Sequence, residues 1–179
     1  MRKLLLTTIA LAACPFGAAL AQTTIHDALV KHWKTTGEFT IAVANAMPAD
    51  SYNFRPNAAE MSFGHVIAHI ASADLGACAT ASGLPRPAVD PKLAALLRDE
   101  KSDVDHDTAL NFLKQAFDFC NQAVDSMTYA KLDAVVGPAN RKMTGFEWLW
   151  SYFTHTAHHR GQVEVYLRVK GIKPPDYVF

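Results

Sequence analysis

The stretch TGFEWLWSYFTHTAHHRGQVEVYLRVKG, Thr144 to Gly171, decides the architecture of this chain. Thr144 and Glu147 stand three apart directly before a helical apolar pattern. That is the spacing of a capping box, in which each side chain satisfies a backbone donor that the first turn leaves unpaired. Gly171, just ahead of Pro174 and Pro175, marks the stop. One long helix from near Gly145 to Gly171 is therefore expected. At about 100° per residue, Trp148, Tyr152, His155, His159, Gln162, Tyr166 and Val169 fall on one stripe. Arg160, Glu164 and Arg168 fall on the opposite side. The stripe is aromatic and largely apolar, so it should face a protein interior. His158 lies on its flank and reads as a surface or rim residue.

Working outward, three further segments have the same helical patterning, and no stretch alternates apolar and polar residues long enough to require a strand. The first runs from Thr24 to Ala46 and stops before Met47 and Pro48. The second starts near Ser62 and ends at Ser82 and Gly83, where glycine suits a C-terminal cap. The third spans Val104 to Met127. Between the second and third, a proline-rich loop from Leu84 to Ser102 carries a short helix around Lys92 to Arg98. Four long helices with apolar stripes predict an all-α protein, a four-helix bundle.

With 179 residues the chain has the length of one domain with a real core, and 17 basic residues balance 17 acidic ones. A neutral chain lacks the basic footprint of a nucleic-acid binder. The N-terminus, MRKLLLTTIALAACPFGAALAQ, has two basic residues, an apolar run broken by Pro15, and Ala19-Leu20-Ala21 before Gln22. This is the layout of a secretory signal peptide over residues 1–21, followed by a mature domain at residues 22–179. The apolar run is too short for a membrane span. A second reading makes Leu11-Ala12-Ala13-Cys14 a lipobox, with Cys14 lipidated. Export, to the periplasm or beyond, would leave Cys78 and Cys120 where a disulfide can form. They make one bridge or two buried thiols, and packing as buried thiols is the expectation.

His155 and His159 are one helical turn apart on the inward stripe, so their imidazoles can converge on a point. Buried histidines need partners, either a metal or the bland solution of backbone carbonyls and tyrosines. A third ligand would favour the metal. The second helix offers SFGHVIAHIASAD, in which the apolar stripe through Val66, Ile70, Ala73 and Ala77 passes closer to His69 than to His65. His69 is the better candidate, and His65 is expected toward solvent. Three neutral imidazoles leave a coordination position open for water, as in catalytic rather than structural sites.

Two segments, YNFRPNAAEMSFGHVIAHIASAD and HTAHHRGQVEVYLRVKGIKPP, resemble motifs of the DinB/YfiT-like superfamily of metalloenzymes: Arg/Lys-Pro, Ser-x-Gly and His-Ile-Ala in the first, H-x-x-x-H-R-G-Q with a Gly and Pro-Pro ending in the second. The resemblance covers nearly all of the mature chain. It implies an up-down-down-up four-helix bundle, often a homodimer, with a divalent metal on His69, His155 and His159. It also implies that Gly161 admits a neighbouring helix, and that Arg160 and Gln162 either pack or support the ligands, plain helix surface being the alternative for Arg160. Where many members carry an acidic residue four before the helix-two histidine, this chain has His65. Members with an assigned activity resemble cytosolic thiol transferases, whose thiol pool an exported protein would not meet.

The expected function is therefore an exported metal-dependent enzyme with a hydrolase-like activity, using metal-bound water on a small-molecule substrate. Tyr152, Tyr166 and Trp148 are candidates to line its pocket. No Asp or Glu is placed by sequence as a general base, so no catalytic residue is assigned beyond the ligands. The alternatives are a non-catalytic metal-binding bundle, a thiol transferase, or a metal-free bundle acting through its surface. Three imidazoles suit Zn or Ni, with Fe or Cu as further options.

Overall fold

The computed structural model describes residues 24–178. The expected signal peptide and Cys14 lie outside these residues. Six α-helices occur among them: α1 (Ile25–Ala46), α2 (Phe63–Ser82), α3 (Pro91–Leu96), α4 (His106–Asp125), α5 (Tyr129–Asp133) and α6 (Gly145–Val169). The four long ones are those expected from the sequence. Each starts on a side-chain cap: Thr24, Ser62, Asp105 and Thr144 accept from backbone amides of the first turn, and Thr24 with Asp27 and Thr144 with Glu147 complete capping boxes. Gly83 closes α2 at φ +74, a left-handed conformation that favours glycine.

Four short elements were not expected, the first a 3-10 turn at Ala49–Ser51 ahead of α2. The helical turn α5 and a two-residue ribbon, β1 (Val135–Val136) paired antiparallel with β2 (Met143–Thr144), fill the connection between α4 and α6. A ribbon this short gives no periodicity to read. No helix among the described residues is long and apolar enough to cross a membrane.

In the bundle α2 packs on α4 and α6, and α1 packs on the same two, so α1 and α2 occupy one diagonal. Named contacts fix the directions. Cys78 and Cys120 join the C-terminal halves of α2 and α4. A Cβ on Gly64, at the start of α2, would meet the Val104 carbonyl oxygen at 2.0 Å, just before α4 begins. These helices are therefore parallel and closely apposed. Trp33 meets Phe153 while Thr36 and Thr40 meet Arg160, so α1 runs parallel to α6. Tyr166 donates to the Met61 carbonyl, bringing the end of α6 beside the start of α2. The order is up-down-down-up. One hydrophobic core fills it, from Trp33 and Val43 through Ile67, Ile70 and Leu75 to Leu113, Leu149 and Leu167.

Four expectations need correcting. Cys78 and Cys120 form a disulfide rather than packing as two thiols. His65 is 1% exposed instead of facing solvent, because the segment before α4 folds over it and the Ser102 carbonyl lies 3.0 Å from its Nδ1. Arg160, placed on the outer side by the helical wheel, is 7% exposed, which bears out packing over plain helix surface. Since α6 is packed against α1 as well as α2, its apparent outer face is also covered: the Arg160 guanidinium donates to the Thr36 and Thr40 hydroxyls and lies over the Phe39 ring. At Gly161 an added Cβ would meet nothing within 4 Å, so no other helix of the described residues approaches there.

Candidate metal centre

His69 sits in the second turn of α2, and His155 and His159 sit one turn apart in the middle of α6. Antiparallel packing of these helices brings the three together. One ring nitrogen from each lies within 4.8 Å of the others, and all three residues are half-buried. His69 Nε2 and His155 Nε2 are 3.2 Å apart. Ring centroids are separated by 5.1 Å (His69 and His155), 4.8 Å (His69 and His159) and 4.4 Å (His155 and His159). Bonds of about 2 Å in a tetrahedral site put ligand nitrogens about 3.3 Å apart, which is the spacing of the first pair.

The electrostatics keep these imidazoles neutral, as ligands must be. Burial, reinforced by neighbouring His159 and His69, pushes His155 down to about 4. Burial lowers His69 as well, with His159 and His65 adding to it and the Glu100 charge opposing. His159 is lowered by burial and partly restored by Gln162. His155 Nδ1 is buried without a hydrogen-bond partner among the described residues, an uncompensated polar atom that a purely packing role would have to tolerate.

His159 is oriented from behind. Its Nδ1–H donates to Gln162 Oε1 at 3.0 Å, and Gln162 Nε2 in turn donates to Glu60 Oε2 at 3.2 Å. That tautomer leaves the His159 Nε2 lone pair for a ligand. Glu60 comes from the loop ahead of α2. Sequence reasoning missed it, because nothing in a loop position signals which helix it will touch.

A cleft of about 580 Å³ lies between α2 and α6, lined by Ser72, Ala73, Gly76, Thr80, Arg86, Trp148 and Tyr152 among others; the three histidines are not in its lining, and Tyr152 joins it to His155. Ser72 lies one turn beyond His69, and the Tyr152 ring is 5.5 Å from that of His155. Trp148 and Tyr152 thus line the cleft as expected, whereas Tyr166 is buried further along, its hydroxyl on the Met61 carbonyl. His158 is exposed at the rim, its ring 4.9 Å from that of His159.

One acid in this part of the bundle is not a cleft group. Asp74 is fully buried, and the Thr156 hydroxyl lies 2.9 and 2.7 Å from its two carboxylate oxygens. Burial raises its pKa to about 8. Asp74 is therefore a protonated, hydrogen-bonded tie between α2 and α6 at neutral pH rather than an accessible base.

The family model of the DinB superfamily matches residues 32–163. Among solved structures, a DinB-like protein from Bacillus subtilis superposes with a TM-score of 0.65 at 20% identity, over 84% of this chain and 96% of that one. A DinB-like protein from Bacillus cereus superposes with a TM-score of 0.69 at 19% identity, over 87% and 99%. At these identities the likeness shows the fold alone. No curated protein matches the chain.

Proposed function

The chain belongs to the DinB superfamily, and on that premise we propose that it binds one divalent transition metal through His69, His155 and His159 and acts as an exported metal-dependent enzyme with a hydrolase-like activity. The observation that carries this reading is the convergence of three neutral imidazoles, with an open cleft adjoining them through Tyr152. A structural metal is normally enclosed by four protein ligands, whereas three with an open side suit catalysis. Zn or Ni fits the donor set best, and Fe or Cu also accepts imidazole.

When bound, the ion would supply Lewis acidity and acidify a water molecule. The protein's own residues do the rest. Gln162 and Glu60 hold the His159 tautomer. The packed core around His69 and the two-helix frame fix the spacing. Trp148 and Tyr152 give the cleft an aromatic wall, and Ser72 and Thr80 offer hydroxyls along it.

Export is part of the same reading, and the Cys78–Cys120 disulfide supports it, since such bonds persist in oxidising compartments. That compartment also weighs against a thiol transferase fed by cytosolic thiols. Exposed Ile25 and Trp150 support a homodimer. The test is a screen of ester, amide and phosphoester substrates with metal-loaded protein beside His159→Ala. Turnover that disappears in the variant is expected. Equal rates in both would defeat the enzymatic reading and leave metal binding alone.

A further inference from the structure

Two arginines stand at the cleft without a carboxylate partner among the described residues: Arg86 in its lining, and Arg141 outside that lining but stacked on two of its aromatic rings. Arg141 comes from the loop between β1 and β2, and several contacts hold it in place. Gly137, at φ +111, brings this loop so close to Trp148 that a Cβ would meet the Arg141 carbonyl oxygen at 2.5 Å and the indole at 2.9 Å. The Trp148 indole N–H donates to the Val136 carbonyl at 3.1 Å. Against this anchor, the Arg141 guanidinium lies 4.8 Å from the Trp148 ring centre and 5.3 Å from that of Tyr152, and its Nη1 donates to the Tyr152 hydroxyl at 2.9 Å. Tyr152 in turn adjoins His155. An exposed arginine normally spreads over many rotamers, but this one is stacked and hydrogen-bonded at the edge of the histidine cluster.

Arg86 is in the lining of the cleft itself. Past Ser72 and Arg86 a second depression continues, lined by Pro87, Leu97 and Arg98. No Asp or Glu lines either depression. Among the described residues, Arg86, Arg98 and Arg141 have no carboxylate partner, although the chain as a whole has no net charge. Glu100, whose charge reaches His69, belongs to neither lining.

We propose that the cleft receives a small molecule through an anionic oxygen group, a carboxylate or a phosphate, bound by Arg141 and Arg86 while the rest of the molecule lies toward the three histidines. This rests on reading the cleft as the substrate site. The guanidinium fork of Arg141 presents its remaining N–H donors to an oxyanion, and prior stacking on Trp148 and Tyr152 means that little side-chain freedom is lost on binding. Such binding sets orientation: one end of the ligand is fixed at the arginines, and a bond some distance from that end is held by the metal ligands.

The test is calorimetric titration of the mature protein with succinate, inorganic phosphate and, as the uncharged control, succinamide. Wild type is compared with Arg141→Gln, Arg86→Gln and the double variant, with the metal content of each sample measured. Both side chains are exposed, so the variants are expected to keep the wild-type melting temperature and metal content. Expected is binding of succinate or phosphate but not succinamide, weakened about tenfold or more by Arg141→Gln and further in the double variant. Preference for succinate marks a carboxylate ligand, and preference for phosphate marks a phosphorylated one. Unchanged anion affinity in the double variant, or equal binding of succinamide, overturns the proposal. The same comparison on chelator-treated protein separates the arginines from the metal, so that a failure of metal binding does not count as a failure here.

Discussion

His159 donates its Nδ1–H to Gln162 at 3.0 Å, a bond within one helix that decides which nitrogen of the imidazole faces the other two histidines. Gln162 is itself held by Glu60, 102 residues away in sequence. Removing the acceptor frees the ring to rotate and to exchange tautomers. Gln162→Leu should therefore weaken metal binding by about 10–100-fold, and Glu60→Gln by less, because the amide can still pair with Gln162. Competition with a chromophoric chelator measures both. Unchanged affinity in Gln162→Leu would show that the bond does not position the ligand.

Which of these features could be read from the sequence depends on how local their causes are. The capping box at Thr144, the glycine stop at Gly83 and the α6 stripe from Trp148 to Tyr166 are set by residues within a few positions and are found where expected, whereas Val169, expected at the end of that stripe, is 60% exposed because the helix there runs past the core. The α2 stripe ranks His69 as more buried than His65, and the structure reverses that order, with His69 half-buried and His65 1% exposed. His65 itself was misjudged, since what buries it is the segment at Ser102, and a helical wheel carries no information about a covering loop. Arg160 fails for a related reason: a central bundle helix has two buried faces, and an arginine satisfied by Thr36 and Thr40 looks in sequence like one facing water. Arg141 and Glu60 lie in loops, where tertiary placement alone gives them a role.

The disulfide closes a loop across a sequence separation of 42 residues and ties α2, which carries His69, to α4. Loop-closure entropy of the unfolded chain gives about 4 kcal/mol for a loop of that size. Cys78→Ala/Cys120→Ala, or reduction under denaturing conditions, should lower the stability by that order. Chemical denaturation of oxidised and reduced protein checks it. Identical midpoints would mean that the bond adds nothing to the bundle.

Asp74 gives a pH dependence whose sign follows from its burial. Its native pKa of about 8 exceeds the ordinary carboxyl value of 3.8, so the native state holds the proton more tightly through that window. The stabilisation is complete below the unfolded value and is lost as pH rises through the native one. Asp74→Asn keeps an acceptor for Thr156 and cannot ionise. Thermal melts of metal-free wild type and variant should diverge in favour of the variant as pH rises from about 4 to about 8. A difference independent of pH would mean that Asp74 is not buried as a neutral acid.

The most direct measurement of the metal centre is elemental analysis of residues 22–179, purified without a histidine tag, beside His155→Ala/His159→Ala. Ligation by the three imidazoles predicts about one equivalent of a transition metal in wild type and none in the double variant at equal folding. No metal in either protein, even after incubation with Zn and Ni, would contradict it and leave the three histidines as packing residues of the bundle.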